Sequence, residues 1–357
     1  MVSEYASLWL RDNLREDRDP NNGQRLIDIT DLPTQPHIRT AVLEGEQVRI
    51  EWAGEPRNSL FDLGWLAAHT PEAAQPPERK TRLWLAGSTM DPRRDFAWSQ
   101  SETLRSDPQV RSHWLIRLLQ DGMAFLSGVP QRETAILDAM SLIGRVCETN
   151  YGLVFDVRSV PQPENLAYSD LGLGLHTDNP YREPVPGFQA LHALVTSDEG
   201  GESLFADGFA LAEHLRASAP EHFRVLTQTA VPFQYQSQGA DLYAERPLIQ
   251  LSCRGEVTAV HYNSRSIAPL LLSAAAAERF YDAYRQFAAL LRDPRFQLRY
   301  SLADGDLVVF DNQRTLHGRT AFSSARFARH LRGCYLTRDS VYSQTALLRR
   351  SLQGTGK

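Results

Sequence analysis

Asp304-Gly-Asp-Leu-Val-Val-Phe-Asp-Asn-Gln-Arg-Thr-Leu-His-Gly-Arg319 is the stretch whose reading decides the fold. An Asp-Gly-Asp turn leads into Leu307 to Phe310, a continuous apolar run short enough for a strand buried on both faces, and then into a loop ending in His317. Further β-rich runs flank it, Glu256 to Tyr262 before and His330 to Thr337 after. Helical spacing appears only at irregular intervals. Glu133 to Val146 carries Ile136, Met140 and Ile143 on one face, and Ser273 to Leu291 opens on a Ser at the capping position and runs Phe280, Tyr284, Phe287 and Leu291 down one stripe. Both read as packing helices. Short strands with Gly and Pro turns, and helices outside the regular spacing of βαβ units, predict an α+β chain that is mainly β. Its core is expected to be a double-stranded β-helix (jelly roll) with flanking helices, not a doubly wound parallel sheet.

Working outward, residues 1–90 read as a small N-terminal domain and 91–357 as the jelly-roll domain, with the turn-rich segment 73–77 as the break. Val48 to Trp52 alternates as a half-buried strand. Ser59 is expected to cap a short helix with Leu60, Leu63 and Leu66 on one face. The segment holding Trp84 and Trp98 is expected to lack regular structure.

Composition excludes several classes. The 357 residues are 42% hydrophobic and 23% charged, as in a folded globular chain. Lys+Arg 38 against Asp+Glu 43 gives a net charge of -5 without long runs of like charge, so nucleic acid and anionic membrane are not expected partners. The greasiest stretch, Pro269 to Ala277, is too short to span a bilayer. The N-terminus, MVSEYASLWLRDNLRE, lacks the basic start and apolar core of a secretory signal, and Cys147, Cys253 and Cys334 show no CxxC spacing. A cytoplasmic protein with free thiols is the expectation.

Chemistry enters with Leu173-Gly-Leu-His-Thr-Asp178. In an extended strand residues two apart share a face, so His176 and Asp178 can offer an imidazole nitrogen and a carboxylate oxygen to one metal. In a chain with ten His, such a triplet is expected about once by chance. His317, followed by Arg329, raises its weight, because a jelly roll can bring distant strands around one interior. Two His and one carboxylate leave open positions suited to non-haem Fe(II) and oxygen chemistry.

The order of short motifs then carries a resemblance: Trp9-Leu-Arg-Asp-Asn13, Asn150-Tyr-Gly152, Asn165-Leu-Ala-Tyr168, His176-Thr-Asp-Asn-Pro180, Gly200-Gly-Glu-Ser203, Phe310-Asp-Asn312, Leu316-His-Gly-Arg319, and Arg329-His330 leading to Tyr335. Over nearly its whole length the chain resembles Fe(II)/2-oxoglutarate-dependent dioxygenases of the taurine-dioxygenase superfamily, and more narrowly the γ-butyrobetaine hydroxylase branch. The resemblance implies His176, Asp178 and His317 as iron ligands. It implies Arg329 as the partner of the 2-oxoglutarate distal carboxylate, which a planar, always charged guanidinium suits, with Leu191 and Ser203 lining that site. Arg319 and Arg326 read as surface residues. The implied reaction consumes dioxygen and 2-oxoglutarate, releases succinate and carbon dioxide, and hydroxylates an unactivated C–H.

For the substrate, the resemblance implies a cage of Tyr151, Phe155, Tyr168 and Tyr335 around a trimethylammonium group, which has no N–H and is recognised by charge and ring faces. Phe155 stands where the branch typically carries Trp. Asn165 and Asn263 are candidates to donate to the far end, a carboxylate or phosphonate. The leading expectation is a small betaine-like substrate such as γ-butyrobetaine or a trimethylaminoalkylphosphonate. The alternatives are an amino-acid hydroxylase, acting on a free or carrier-protein-tethered amino acid in a secondary-metabolite pathway, and a metal-binding module without turnover. The resemblance also suggests a homodimer. Where relatives carry zinc-binding cysteines after the Trp-Leu-Arg-Asp-Asn motif, this chain has Leu14 to Pro20 without one. A structural zinc is therefore not expected, and His69 reads as a surface histidine at a helix end.

Overall fold

A computed structural model of the chain describes residues 4–56, 58–71, 80–87, 90–158, 172–196, 200–321 and 329–354. The chain divides into two compact units, Met1–Pro76 and Pro77–Lys357. In the first, β1 (Ile38–Glu44), β2 (Gln47–Trp52) and β3 (Asn58–Asp62) form an antiparallel meander. A helix follows at Leu63–Ala68, capped by Asp62, whose side chain accepts the Trp65 N–H. The helix expected from Ser59 thus starts later. Ser59 pairs with Ile50 across the sheet and accepts the Trp52 indole N–H at 2.9 Å, while Leu60 points outward. Alternation with β2 decides these residues over helical spacing. Leu10, Leu14, Ile50, Trp52, Phe61 and Leu66 form this unit's core.

The second unit begins its strands with β4 (Ala97–Gln100), β5 (Met123–Ser127), β6 (Val146–Cys147), β7 (Phe155–Arg158) and β8 (Leu173–His176). It continues with β9 (Phe188–Val195), β10 (Ser203–Asp207), β11 (Val231–Ser237), β12 (Ala240–Arg246), β13 (Ile249–Leu251) and β14 (Val257–Val260). It closes with β15 (Leu298–Tyr300), β16 (Leu307–Asp311), β17 (Thr315–Arg319) and β18 (His330–Leu336). A seven-stranded sheet runs β4-β5-β16-β9-β18-β6, with β7 also paired to β18, and a four-stranded sheet runs β15-β10-β17-β8. Apart from the parallel β4–β5 pair, their ladders are antiparallel. The unit mixes helices with sheets, and the sheets dominate around the site.

β16 shows why the opening stretch is informative. Val308 and Phe310 point between the sheets, where Phe310 meets Phe205 of β10 at 5.8 Å. Leu307 and Val309 point the other way, into a cluster with Trp114, Leu115 and Leu118 of the helix Pro108–Asp121. Burying such a side chain contributes about 1.5–3 kcal/mol, so a strand apolar on both faces is held from both sides. The outer face of the small sheet, Leu204, Ala206 and Leu316, packs with Leu211 and Leu226 of the helices Gly208–Ser218 and Pro220–Gln228, and with Phe280 and Phe287 of Ala274–Leu290.

Three sequence expectations change. The stretch after β16 is not a loop up to His317: Gln313 and Arg314 make a tight turn and His317 sits within β17. Trp98 lies on β4, stacked on Phe125 at 4.5 Å, because parallel pairing with β5 orders the segment. The helix read over Glu133 to Val146 is confined to Ala135–Met140, since Val146 pairs with Leu336 in the large sheet. Among the described residues no helix is long and apolar enough to cross a membrane.

Candidate active site

β8 and β17 run antiparallel with His176 opposite His317, and their rings lie 4.4 Å apart. A Cβ on Gly318 would come within 2.4 Å of the Leu173 carbonyl, so glycine allows the strands this approach beside the histidine. Beyond β8 the chain is pinned from both sides. The Thr177 N–H donates to the Tyr262 carbonyl at 2.7 Å, and Asn263 Nδ2 donates to the Thr177 carbonyl at 3.1 Å. The Asp178 N–H donates to Asn312 Oδ1 at 2.7 Å, while Asn312 Nδ2 donates back to the Asp178 carbonyl at 3.0 Å. Asn312 is fully buried and makes this reciprocal clamp from the turn after β16.

His176 Nδ1 lies 2.9 Å from the Gly174 carbonyl, which fixes it as the protonated nitrogen and leaves Nε2 as a lone-pair donor. That Nε2 is 3.2 Å from Asp178 Oδ1, and His317 Nε2 is 3.6 Å from Asp178 Oδ2. The ligand atoms of His176, Asp178 and His317 all lie within 4.8 Å of one another. Burial, and then the neighbouring His317, push the His176 imidazole down to about 4, so it is neutral at neutral pH. Burial opposes ionisation of Asp178, but the two histidines outweigh it and hold the carboxyl well below its usual range. Two imidazoles and a carboxylate converging in a buried site fit a divalent iron. Tyr335 adds a hydrogen bond from its phenol to Asp178 Oδ2 at 2.8 Å. Burial, and then the Asp178 charge, raise the Tyr335 phenol well above its ordinary value, keeping it a donor.

These side chains border a cavity of about 290 Å³. Every described residue named from the sequence for cofactor or substrate lines it: Leu191, Ser203, Arg329, Tyr151, Phe155, Asn263 and Tyr335. Asn165, Tyr168 and Arg326 lie outside the described residues. Arg329 is buried just before β18; burial, and then the charge of Arg319, lower it to about 10. Arg319 is not at the surface as expected. It is 5% exposed and lines the cavity, because its place on β17 opposite Ser203 turns it inward.

The aromatic wall is larger than the sequence suggested. Tyr235 of β11 packs against Tyr151 at 6.2 Å and stacks on Tyr181 at 5.2 Å, and Phe155 meets Tyr335 at 5.0 Å. Phe155 can lie across β18 because residue 333 is glycine; a Cβ there would be 2.3 Å from the ring. Tyr181, Tyr235, Arg265 and the clamping role of Asn312 were missed. Tyr181 stands three residues beyond Asp178 and Asn312 closes the quoted Phe310-Asp-Asn motif, so both were within reach, whereas Tyr235 and Arg265 are placed by tertiary contacts alone. In the N-terminal unit His69 stacks on Trp65 at 4.1 Å, with Nδ1 on the Trp65 carbonyl at 2.7 Å.

Comparison with known proteins bears on the same residues. The model of the family described as "Taurine catabolism dioxygenase TauD, TfdA family" matches residues 88–335, which include every described residue of this site. The γ-butyrobetaine dioxygenase of Pseudomonas sp. (strain AK-1) is 35% identical over 358 residues, covering 98% of this chain and 91% of that protein. The trimethyllysine dioxygenase of Meyerozyma guilliermondii is 27% identical, covering 97% and 90%, and the human γ-butyrobetaine dioxygenase is 27% identical, covering 98% and 92%. The solved structure of an asparagine oxygenase in complex with Fe(II), 2S,3S-3-hydroxyasparagine and succinate is 20% identical with a TM-score of 0.51, covering 67% of this chain and 83% of that one, a likeness of fold. A family match across most of the chain, with a full-length relative at 35% identity, places this protein among the dioxygenases of the TauD/TfdA family.

Proposed function

We propose that this protein is an Fe(II)- and 2-oxoglutarate-dependent hydroxylase of a small betaine-like substrate, and that its two facing sheets are the halves of a jelly roll. The observation that carries the proposal is a single cavity lined both by the His176, Asp178 and His317 donors and by the rings of Tyr151, Phe155, Tyr181, Tyr235 and Tyr335. His176, Asp178 and His317 would hold the iron; bound there, it would use 2-oxoglutarate and dioxygen to oxidise an unactivated C–H, with succinate and carbon dioxide released.

The chain's own residues do the placing. Arg329 offers a desolvated cationic fork to the distal carboxylate of 2-oxoglutarate, Arg319 adds positive charge beside it, and Leu191 and Ser203 line that end. Tyr335 holds Oδ2 of Asp178, the oxygen facing His317, in place. The ring faces receive a trimethylammonium group, each contributing on the order of 0.5–2 kcal/mol, whereas a primary ammonium would leave its N–H groups unsatisfied there. The γ-butyrobetaine and trimethyllysine dioxygenases among the relatives, named for trimethylammonium compounds, support this reading.

The test compares matched trimethylated and unmethylated compounds, γ-butyrobetaine against 4-aminobutyrate among them, by succinate release and by gain of one oxygen in mass spectrometry. Trimethylated members should be turned over ahead by roughly two orders of magnitude. Preference for an unmethylated amino acid would overturn the proposal in favour of an amino-acid hydroxylase.

A further inference from the structure

β8 ends at His176, so no ladder bond fixes Asp178, the carboxylate donor two residues further on. Its place is set by one amide. Asn312 Oδ1 accepts the Asp178 N–H at 2.7 Å, and Asn312 Nδ2 donates to the Asp178 carbonyl at 3.0 Å, a pairing that needs an acceptor and a donor on one side chain. The same Nδ2 donates to the Pro186 carbonyl at 3.2 Å, and the Asn312 N–H donates to the Gly187 carbonyl at 2.9 Å. Gln313 Nε2 adds a bond to the Val185 carbonyl at 3.1 Å. The turn after β16 thus grips both ends of residues 178–187, the segment that leads from β8 into β9.

Between these grips the segment joins the metal donors to the aromatic wall. Asn179 bends the chain at a φ of 55°, a left-handed conformation that Asn tolerates better than bulky residues do. The Tyr181 phenol donates to Asn179 Oδ1 at 2.7 Å, and the Tyr181 ring stacks on Tyr235 at 5.2 Å. Movement of Asp178 is therefore passed to Tyr181 within three residues. Asn312 itself is fully buried and does not border the cavity, so it acts on the site only through the residues it holds.

We propose that Asn312 is a positioning residue that fixes Asp178 in relation to the aromatic wall, and so sets which C–H of a bound substrate lies before the metal. The inference rests on the trimethylammonium reading above and adds regiochemistry to it. Ring faces that hold a trimethylammonium group anchor one end of the substrate, while Asp178 and the two histidines anchor the metal. Neighbouring carbons stand about 1.5 Å apart, and a misplacement of about 1 Å by a residue remote from the chemistry costs on the order of 100-fold in rate. A loosened Asp178 therefore weakens metal binding and blurs the choice of carbon together.

The experiment uses the full chain and compares wild type with three variants. Asn312→Ser shortens the side chain, Asn312→Leu keeps its branched shape without the polar atoms, and Tyr181→Phe cuts only the bond to Asn179. Co(II) affinity is read without oxygen by chelator competition. Turnover of γ-butyrobetaine by the iron-loaded protein is read as succinate formed per hydroxylated product and as the position of the new hydroxyl by NMR. Loss of an outer partner of this kind typically costs about 10- to 100-fold in metal affinity, and both Asn312 variants should show it. They should also release more succinate per product and hydroxylate more than one carbon. Tyr181→Phe should share these two product effects while binding Co(II) like wild type. A merely structural role would lower the thermal midpoint alike with and without Co(II) and leave Co(II) affinity unchanged. That result, or a single product at the wild-type succinate yield in all three variants, overturns the assignment and leaves the trimethylammonium reading intact. Should the Asn312 variants not fold, Tyr181→Phe decides by the same product readouts. Wild type that leaves γ-butyrobetaine unoxidised overturns the trimethylammonium reading, and the Co(II) titration still tests the hold on Asp178.

Discussion

Tyr335 donates its phenol to Oδ2 of Asp178 at 2.8 Å, so one side chain belongs both to the aromatic wall and to the support of the carboxylate between the two histidines. Partners of this kind orient a ligand oxygen, and removing one typically costs about 10- to 100-fold in metal affinity. Tyr335→Phe keeps the ring against Phe155 and deletes only the hydrogen bond. Its affinity for Fe(II) or Co(II), measured by chelator competition without oxygen, should fall about tenfold. Unchanged metal affinity would confine Tyr335 to the substrate wall.

Arg329→Ala should act on the co-substrate. Truncating one partner of a buried charge pair costs about 2–5 kcal/mol, roughly 30- to several-thousand-fold in affinity. The 2-oxoglutarate requirement, followed by succinate formation, should rise by that order while the substrate KM changes little. If both parameters move together, Arg329 is a structural residue and Arg319, buried beside the same cavity, takes the role.

Two buried histidines set a pH dependence for the metal-free protein. Burial, then His317, push His176 down to about 4; burial, then Arg246 and Arg338, push His261 down to about 3. An unfolded imidazole takes its proton near pH 6.5. Below about pH 6.5 and down to about pH 3–4 the unfolded chain therefore binds more protons than the folded one, and stability falls as pH is lowered through that window. Above it these two groups contribute no slope. Thermal midpoints recorded from neutral to acid pH should decline below about 6.5, and a flat profile would contradict the burial of both rings.

The N-terminal unit should fold without zinc. Leu10, Leu14, Ile50, Trp52, Phe61 and Leu66 give it an apolar core, and Arg11 ties Asp17 at 2.6 Å and Glu55 at 3.0 Å. Its far-UV circular dichroism and melting should be unaffected by a strong chelator. One tightly held zinc per chain in elemental analysis, separate from the metal of the active site, would refute this.

The readable parts of the sequence were those governed by local pattern. Leu307 to Phe310 announced a doubly covered strand because all four residues are apolar. His176 and Asp178 were picked out by strand alternation, but β8 ends at His176, and Asp178 is held in the bend beyond it by Asn312. Where two local patterns competed, the partner strand decided: Ser59 and Leu60 fit a helical stripe equally well until β2 pairs with them. Arg319 looked like a surface residue because charge usually marks solvent, and its inward position follows from the register with β10. Tyr235 and Arg265 stand far from any motif, and the cavity that unites them with His176 exists only once the sheets have closed.

The clamp between Asp178 and Asn312 joins residues 134 positions apart, and His176 finds His317 only across a finished β8–β17 ladder. No short fragment of the chain contains His176, Asp178 and His317 together. Unlike a zinc finger, whose ion organises a short loop of neighbouring ligands, this centre cannot nucleate the fold that makes it. His176, Asp178 and His317 come together only once β17 has been made and paired with β8, so a metal held by them would follow that step of folding and not precede it.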